Sequence, residues 1–207
     1  RFHEHEQLSH YADAAEDIQY EYPIGWKEVE GIHSRTDYDL KRHQEYSGKN
    51  MTYYDPFAQE KYIPYVIETS VGLDRTVLML LCDAYDEDEA SGDDRTVLRF
   101  HPEVAPIRAA IFPLSKKKGL PDIAHDIEAD LRPHFNVMYD ERGSMGKRYR
   151  RMDEAGTPFC ITVDFDTLDD QQVTVRDRDS MEQDRVAIDR LVSYINDHST
   201  GWSRDAV

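Results

Sequence analysis

Four side chains of this 207-residue chain are of types that work together on a charged substrate. Glu68 and Ser70 are two apart at the end of an apolar run, Tyr62 to Ile67, that reads as a buried strand. Residues two apart on a strand face one side, so both can line one pocket. An ionised Glu can pair with an ammonium group, at roughly 1.5–3 kcal/mol for a charge-assisted hydrogen bond. Gly72 opens a turn, and Arg75 falls on the first turn of the helix expected over Thr76 to Tyr85. A planar guanidinium there, beside the donors of a helix N-terminus, suits a polyphosphate or a base. Glu28, in a short strand bracketed by Gly25 and Gly31, is a further carboxylate that could hold Mg2+ on a nucleotide. Each residue alone also fits a bland reading: a strand end that has reached solvent, or a surface Arg paired with Asp74 or Asp83.

The elements that must position these groups fall into two parts. Before residue 104 there are strand-like pieces at Ile18 to Tyr22, Val29 to His33 and Tyr62 to Ile67, with helical pieces at Leu8 to Ala15 and Leu73 to Tyr85. Arg35 to Tyr54 shows no apolar periodicity and reads as a polar connection. Such a set makes one side of an antiparallel sheet and leaves an apolar face uncovered. Tyr85 to Arg95 is strongly acidic and reads as a flexible loop. The domain border is placed near 104, giving 1–104 and 105–207. The second part reads as a strand over Ile107 to Leu114, a helix over Pro121 to Leu131, a strand over Phe135 to Tyr139 and a helix over Ser144 to Ala155 capped by Gly156. Strands over Phe159 to Phe165 and Val173 to Arg178 follow, then a helix over Ser180 to Asp197. That order implies a mixed sheet flanked by helices, so the whole chain is of the α/β class.

Composition narrows the partners. The net charge of −17 argues against nucleic acid as a non-specific partner. The charge is uneven, −13 before residue 105 and −4 after it, and the second part concentrates Lys116 to Lys118, Lys147, Arg148, Arg150, Arg151, Arg176 and Arg178. A local basic face suffices for a specific RNA contact. Thr174, Arg176 and Arg178, two apart, would share a strand face, and such side chains can read unstacked bases and phosphates. Arg148 and Arg151 could instead pair with Asp153, Glu154 or Asp177 to fix the helix on the sheet. Two cysteines, Cys82 and Cys160, give neither a disulfide framework nor a zinc site. No apolar stretch reaches membrane-spanning length, no signal peptide is visible, and a cytoplasmic setting is expected. His3, Glu4, His5 and Glu6 alternate on one terminus, a poor ligand geometry, so no protein-held metal is expected. The chain opens on Arg1-Phe2-His3-Glu4 without Met, as expected of a segment of a longer protein.

The wording of several segments resembles the glycyl-tRNA synthetases of the homodimeric type within the class II aminoacyl-tRNA synthetases. These are Leu8-Ser9-His10-Tyr11-Ala12, Asp17-Ile18, Gly25-Trp26-x-Glu28-x-x-Gly31-Ile32, Arg35-Thr36-Asp37-Tyr38-Asp39-Leu40 and Tyr65-Val66-Ile67-Glu68-x-Ser70-x-Gly72-x-Asp74-Arg75, the last resembling motif 3. Gly146-Lys147-Arg148-Tyr149-Arg150-Arg151-Met152-Asp153-Glu154-x-Gly156-x-Pro158 and Val173 to Asp179 resemble the class IIa anticodon-binding domain. The resemblance implies the C-terminal end of a class II catalytic sheet over 1–104 and an anticodon-binding domain over 105–207. It implies that Glu68, Thr69 and Ser70 line a glycine site, with Thr69 where many relatives have Pro. It implies that Glu28, Val29, Gly72 and Arg75 contact ATP, with Arg75 and Glu28 acting in catalysis. Arg148, Arg151, Thr174, Arg176 and Arg178 would meet the anticodon of glycine tRNA. ATP with Mg2+ is the implied cosubstrate, zinc is not expected, and a homodimer would form through an upstream part. Motifs 1 and 2 are absent, so this segment by itself is expected to be inactive. A non-catalytic accessory subunit that reuses the architecture to bind nucleic acid is the alternative, and a class IIa enzyme for threonine, proline or histidine is a further rival.

Overall fold

The structure is a computed structural model that describes residues 1–89, 92 and 94–203. It divides into two compact units, Arg1–Cys82 and Asp83–Val207. The described residues between 83 and 104, grouped from sequence with the first part, therefore belong to the second unit.

The first unit is built on an antiparallel sheet of four strands in the order β1-β2-β3-β6. These are β1 (Phe2–Glu4), β2 (Ala14–Tyr22), β3 (Gly25–Ser34) and β6 (Ile67–Val71). Helix α1 (Tyr38–Ser47) and a small hairpin of β4 (Tyr53–Asp55) with β5 (Glu60–Tyr62) are inserted before β6. Helix α2 (Leu73–Ala84) follows β6 directly.

Three sequence expectations change here. No helix forms over Leu8 to Ala15, because Ala14 and Ala15 join β2 and pair with Ser34 and His33. The polar stretch after Arg35 does hold a helix, α1, with no buried residue. It is supported by ion pairs one turn apart, Arg35–Asp39 and Lys41–Asp37, rather than by an apolar stripe. The strand expected over Tyr62 to Ile67 is displaced, so Glu68 and Ser70 lie inside β6 and not past its end.

Ala15, Tyr22 and Val29 are the buried apolar residues described in this unit. Ile67, Val71, Leu73, Val77, Leu78 and Leu81 are exposed, the uncovered apolar surface anticipated from sequence.

The second unit opens with a hairpin of β7 (Tyr85–Asp88) and β8 (Arg95–Leu98), where a loop was expected; residues 90, 91 and 93 of that stretch lie outside the described residues. Its main sheet is mixed, in the order β10-β9-β11-β12-β13. The strands are β9 (Ala109–Pro113), β10 (Val137–Tyr139), β11 (Phe159–Val163), β12 (Gln172–Asp177) and β13 (Gln183–Ala187). β9 pairs in parallel with β10 and β11, whereas β11, β12 and β13 are antiparallel neighbours. A one-turn helix α5 (Thr167–Asp170) joins β11 to β12, strand β13 takes the first part of the helix expected over Ser180 to Asp197, and helix α6 is shortened to Leu191–Thr200.

Every residue of β9 and β11 is buried, as befits central strands covered on both faces. Ala109, Ile111, Phe159 and Ile161 face helix α3 (Leu120–Leu131) and α6 through Leu120, Ile127, Leu131, Leu191 and Ile195. Ala110, Phe112 and Cys160 face the other way, toward Met152 of helix α4 (Met145–Ala155). Gly156 ends α4 at φ 76°, and a Cβ there would stand 2.9 Å from the Leu98 carbonyl.

Candidate functional sites on the two units

In the first unit β6 pairs with β3 so that Glu68 lies opposite His33 and Ser70 opposite Gly31. Glu68 and Ser70 share a face and Thr69 takes the other, as period-2 spacing requires. Immediately beyond, Gly72 turns the chain into α2 and Arg75 projects from its first turn. A cavity of about 480 Å³ is lined by Glu28, Val29, Ser70, Gly72, Asp74 and Arg75 among others. Its geometry is fixed by Arg75, whose Nη1 donates to the Glu28 carbonyl at 2.9 Å and lies 3.3 Å from Glu28 Oε2. Tyr22 steadies the helix start by donating its hydroxyl to the Arg75 carbonyl at 3.0 Å.

Five of the seven residues expected in the first unit thus meet at one cavity. Glu68 is held beside it, and Thr69 is not part of its lining. The carboxylate of Glu68 accepts from Arg35 Nη1 at 2.5 Å, and Arg35 also donates from Nε to Asp39 at 2.5 Å. Donation to Asp39 first, then to Glu68, drives the Arg35 pKa further up, and Arg35 in turn holds Asp39 below the usual carboxylate range. Arg35 also lies over the Tyr11 ring at 4.1 Å. Its part in orienting Glu68 was not read from sequence, because 33 residues separate the two and only strand pairing joins them.

The basic side chains expected to meet RNA are differently disposed. Arg148 is buried and donates to the carbonyls of Pro113, Glu141 and Gly143 at 2.7, 3.1 and 3.0 Å. Arg176 makes a bidentate pair with Asp153 at 2.9 and 3.1 Å. Arg178 donates to Asp179 and to the carbonyls of Gly156 and Phe100. Arg151 pairs with Asp140, and Thr174 donates to Asp164 at 3.3 Å. Their donors are engaged within the fold, and neither Arg148 nor Arg151 meets the Asp153, Glu154 or Asp177 considered for them from sequence.

The solvent-facing charge lies elsewhere on α4. A cleft of about 580 Å³ is lined by Arg95, Lys147, Tyr149, Arg150, Arg176 and Gln183 among others. Lys147 and Arg150 are exposed, and Arg176 sits 4.9 Å from the centre of the Tyr149 ring. Lys147 and Arg150 are three apart and Arg148 and Met152 four apart, so helical period alone separates the outward pair from the inward pair. That signal was present in the sequence.

Comparisons with known proteins bear on both units. Residues 108–198 match the family described as the anticodon binding domain. Glycine–tRNA ligase of Lysinibacillus sphaericus is 58% identical over 96% of this chain, that of Clostridium kluyveri 59% over 95%, and that of Treponema denticola 54% over 99%. This chain is homologous to glycine–tRNA ligases. It spans 43%, 42% and 47% of the length of those three relatives. In fold it is similar to prolyl-tRNA synthetase from Cryptosporidium parvum, solved with L-proline and AMP, at a TM-score of 0.66 and 18% identity over 96% of this chain and 41% of that one. The fold is therefore that of a class II synthetase, an antiparallel sheet followed by a mixed sheet with helices. Among the described residues no helix is long and apolar enough to cross a membrane.

Proposed function

We propose that this chain is part of a glycine–tRNA ligase. In this reading the unit over residues 1–82 supplies the motif 3 end of its catalytic domain, and the unit that begins at residue 83 and holds the matched stretch 108–198 binds the anticodon. The observation that carries the reading is the cavity joining Glu28 and Arg75 to Ser70 and Gly72, with Glu68 beside it on the face of Ser70.

In this reading glycine's ammonium group meets Glu68 and Ser70, while ATP lies over Glu28, Val29, Gly72 and Arg75, its phosphates accompanied by Mg2+. The glycine carboxylate attacks the α-phosphate, pyrophosphate leaves, and the adenylate passes glycine to the 3′ end of the tRNA. No covalent nucleophile is required; positioning and neutralisation of charge carry the step. Arg35 keeps the Glu68 carboxylate aimed. Selectivity for glycine is steric, since one methylene is worth only about 1–3 kcal/mol as attraction.

Lys147 and Arg150 form the surface best suited to an unstacked anticodon, a pair of exposed cations at the mouth of the cleft. The parent protein is cytoplasmic and dimeric in this reading, and the residues that complete its catalytic site come from sequence not contained in this chain.

Arg75→Ala in the full-length parent tests the assignment. Glycine-dependent pyrophosphate exchange is expected to vanish while tRNA binding persists. Exchange at the parental rate would refute the ATP site.

A further inference from the structure

On one strand, His3 and His5 have no suitable co-ligands. Pairing supplies them. β1 pairs with β2 so that His3 lies opposite Asp17, and the His5 amide donates to the Ala15 carbonyl at 3.0 Å. Ala15 lies opposite His33 on β3, and Asp17 opposite Gly31. Cross-strand partners share a face, and so do residues two apart along a strand. His5, Ala15 and His33 therefore form one row across the sheet, with Asp17 on the same face one step along β2. One ligating atom from each of His5, Asp17 and His33 lies within 4.8 Å of the other two.

Two further details concern what this cluster is shaped to hold. His5 Nε2 is out of solvent and no well-angled hydrogen bond reaches it, although Asp17 Oδ1 is only 2.9 Å away. A nitrogen and a carboxylate oxygen at that distance, aimed past each other, are spaced as neighbours in one ion's shell. With metal–ligand bonds of about 2.0–2.2 Å, adjacent ligands stand roughly 2.8–3.6 Å apart, from a right-angled to a tetrahedral arrangement, and 2.9 Å is at the short end of that range. The second detail is Gly31. A Cβ there would stand 3.7 Å from Asp17 Oδ1 and 3.7 Å from His33 Nε2, so the missing side chain leaves the space between those atoms open.

We propose that His5, Asp17 and His33 bind a divalent transition-metal ion of the Zn2+ class. Two imidazoles and one carboxylate suit zinc, cobalt, nickel or iron, whereas calcium and magnesium require more oxygen ligands. Three protein ligands leave a coordination position open to water or a small ligand. The ion ties the short strand β1 to β2 and β3 across the sheet. The site uses no residue of the cavity assigned to ATP and does not depend on the ligase reading.

The test is titration of the chain with Co2+, followed by visible d–d absorption, with far-ultraviolet circular dichroism on each sample. The wild type is expected to take up one ion per chain with ligand-field bands, which Zn2+ then displaces. His33→Ala and His5→Gln are expected to weaken binding by more than about tenfold, since even outer-shell changes commonly cost that much. The remote, exposed His43→Ala should leave it unchanged. Absence of bands in a folded wild type would overturn the site. So would titrations of folded His33→Ala and His5→Gln that match the wild type.

Discussion

Arg35 on the segment after β3 and Glu68 on β6 meet at 2.5 Å, and the same guanidinium grips Asp39 one helical turn on. Glu68 is therefore held in one orientation before any ligand arrives. Pre-ordering of this kind lowers the entropy cost of binding. Replacing Arg35 by Met in the full-length parent should raise the KM for glycine roughly 10–150-fold, the equivalent of one charge-assisted hydrogen bond. The KM for ATP should move far less. Equal shifts in both constants would mean that Arg35 holds the unit together and does not orient Glu68.

In the second unit Asp153 is shared by Arg176, through two hydrogen bonds, and by Arg95 at 3.4 Å. All three side chains are buried. Asp153→Ala leaves Arg176 without a counter-charge, and breaking one partner of a buried pair costs about 3–5 kcal/mol. The double change Asp153→Leu with Arg176→Met should cost less than Asp153→Ala alone, because no charge is then stranded. Urea denaturation of the three proteins checks the order. A double variant less stable than Asp153→Ala would contradict the account.

Much of the second unit is legible in sequence because its signals are local. The i, i+4 apolar stripe of α3, the glycine cap of α4 and the apolar runs of β9 and β11 lie within windows of about a dozen residues. What is not legible depends on partners far along the chain. The acidic stretch after Tyr85 looks unable to pack, yet Asp86 and Asp88 pair with Arg99 and Arg95 to make a hairpin. The fate of Arg148, Arg176 and Arg178 is hidden for the same reason: each is engaged by carbonyls or carboxylates that only the fold brings near. In the first unit Glu28, Ser70 and Arg75 were readable as a set, whereas Arg35 and the trio of His5, Asp17 and His33 required strand register.

Gly156 is constrained twice, by its left-handed backbone and by the closeness of Phe100 and the Leu98 carbonyl. The first costs about 1–2 kcal/mol for any side chain and the second about 1–3 kcal/mol for overpacking. Gly156→Ala should therefore lose about 2–5 kcal/mol, read from the urea midpoint. A loss below about 1 kcal/mol, the usual price of a mild surface change, would show that β8 yields without strain.

Acid should weaken the second unit through Asp179. Burial opposes its ionisation, but hydrogen bonds from Arg178 and Trp202 and the charges of Arg178 and Arg99 hold its pKa below the usual carboxylate value. A carboxylate depressed in the folded state contributes stability above its unfolded pKa, about 3.9, and loses it as pH falls through the lower folded value. The urea midpoint is expected to hold from neutrality to about pH 5 and to fall below pH 4. Asp179→Asn should start lower and fall less steeply. Parallel curves for the two proteins would assign the acid response to other groups.

The division of labour among the α4 cations gives the sharpest test of the RNA surface. Lys147 and Arg150 are exposed at the cleft, and Arg176 lines the same cleft while tied to Asp153. Each phosphate contact releases counterions, so removing one lowers the magnitude of the salt slope of binding by about 1. Lys147→Ala and Arg150→Ala should each weaken binding to glycine tRNA and flatten that slope without changing thermal stability. Arg176→Ala should lower stability, because it takes away the bidentate partner of the buried Asp153 and leaves that carboxylate only Arg95 at 3.4 Å. If Lys147→Ala and Arg150→Ala bind tRNA like the parent at every salt concentration, the anticodon must be met on another face of the unit.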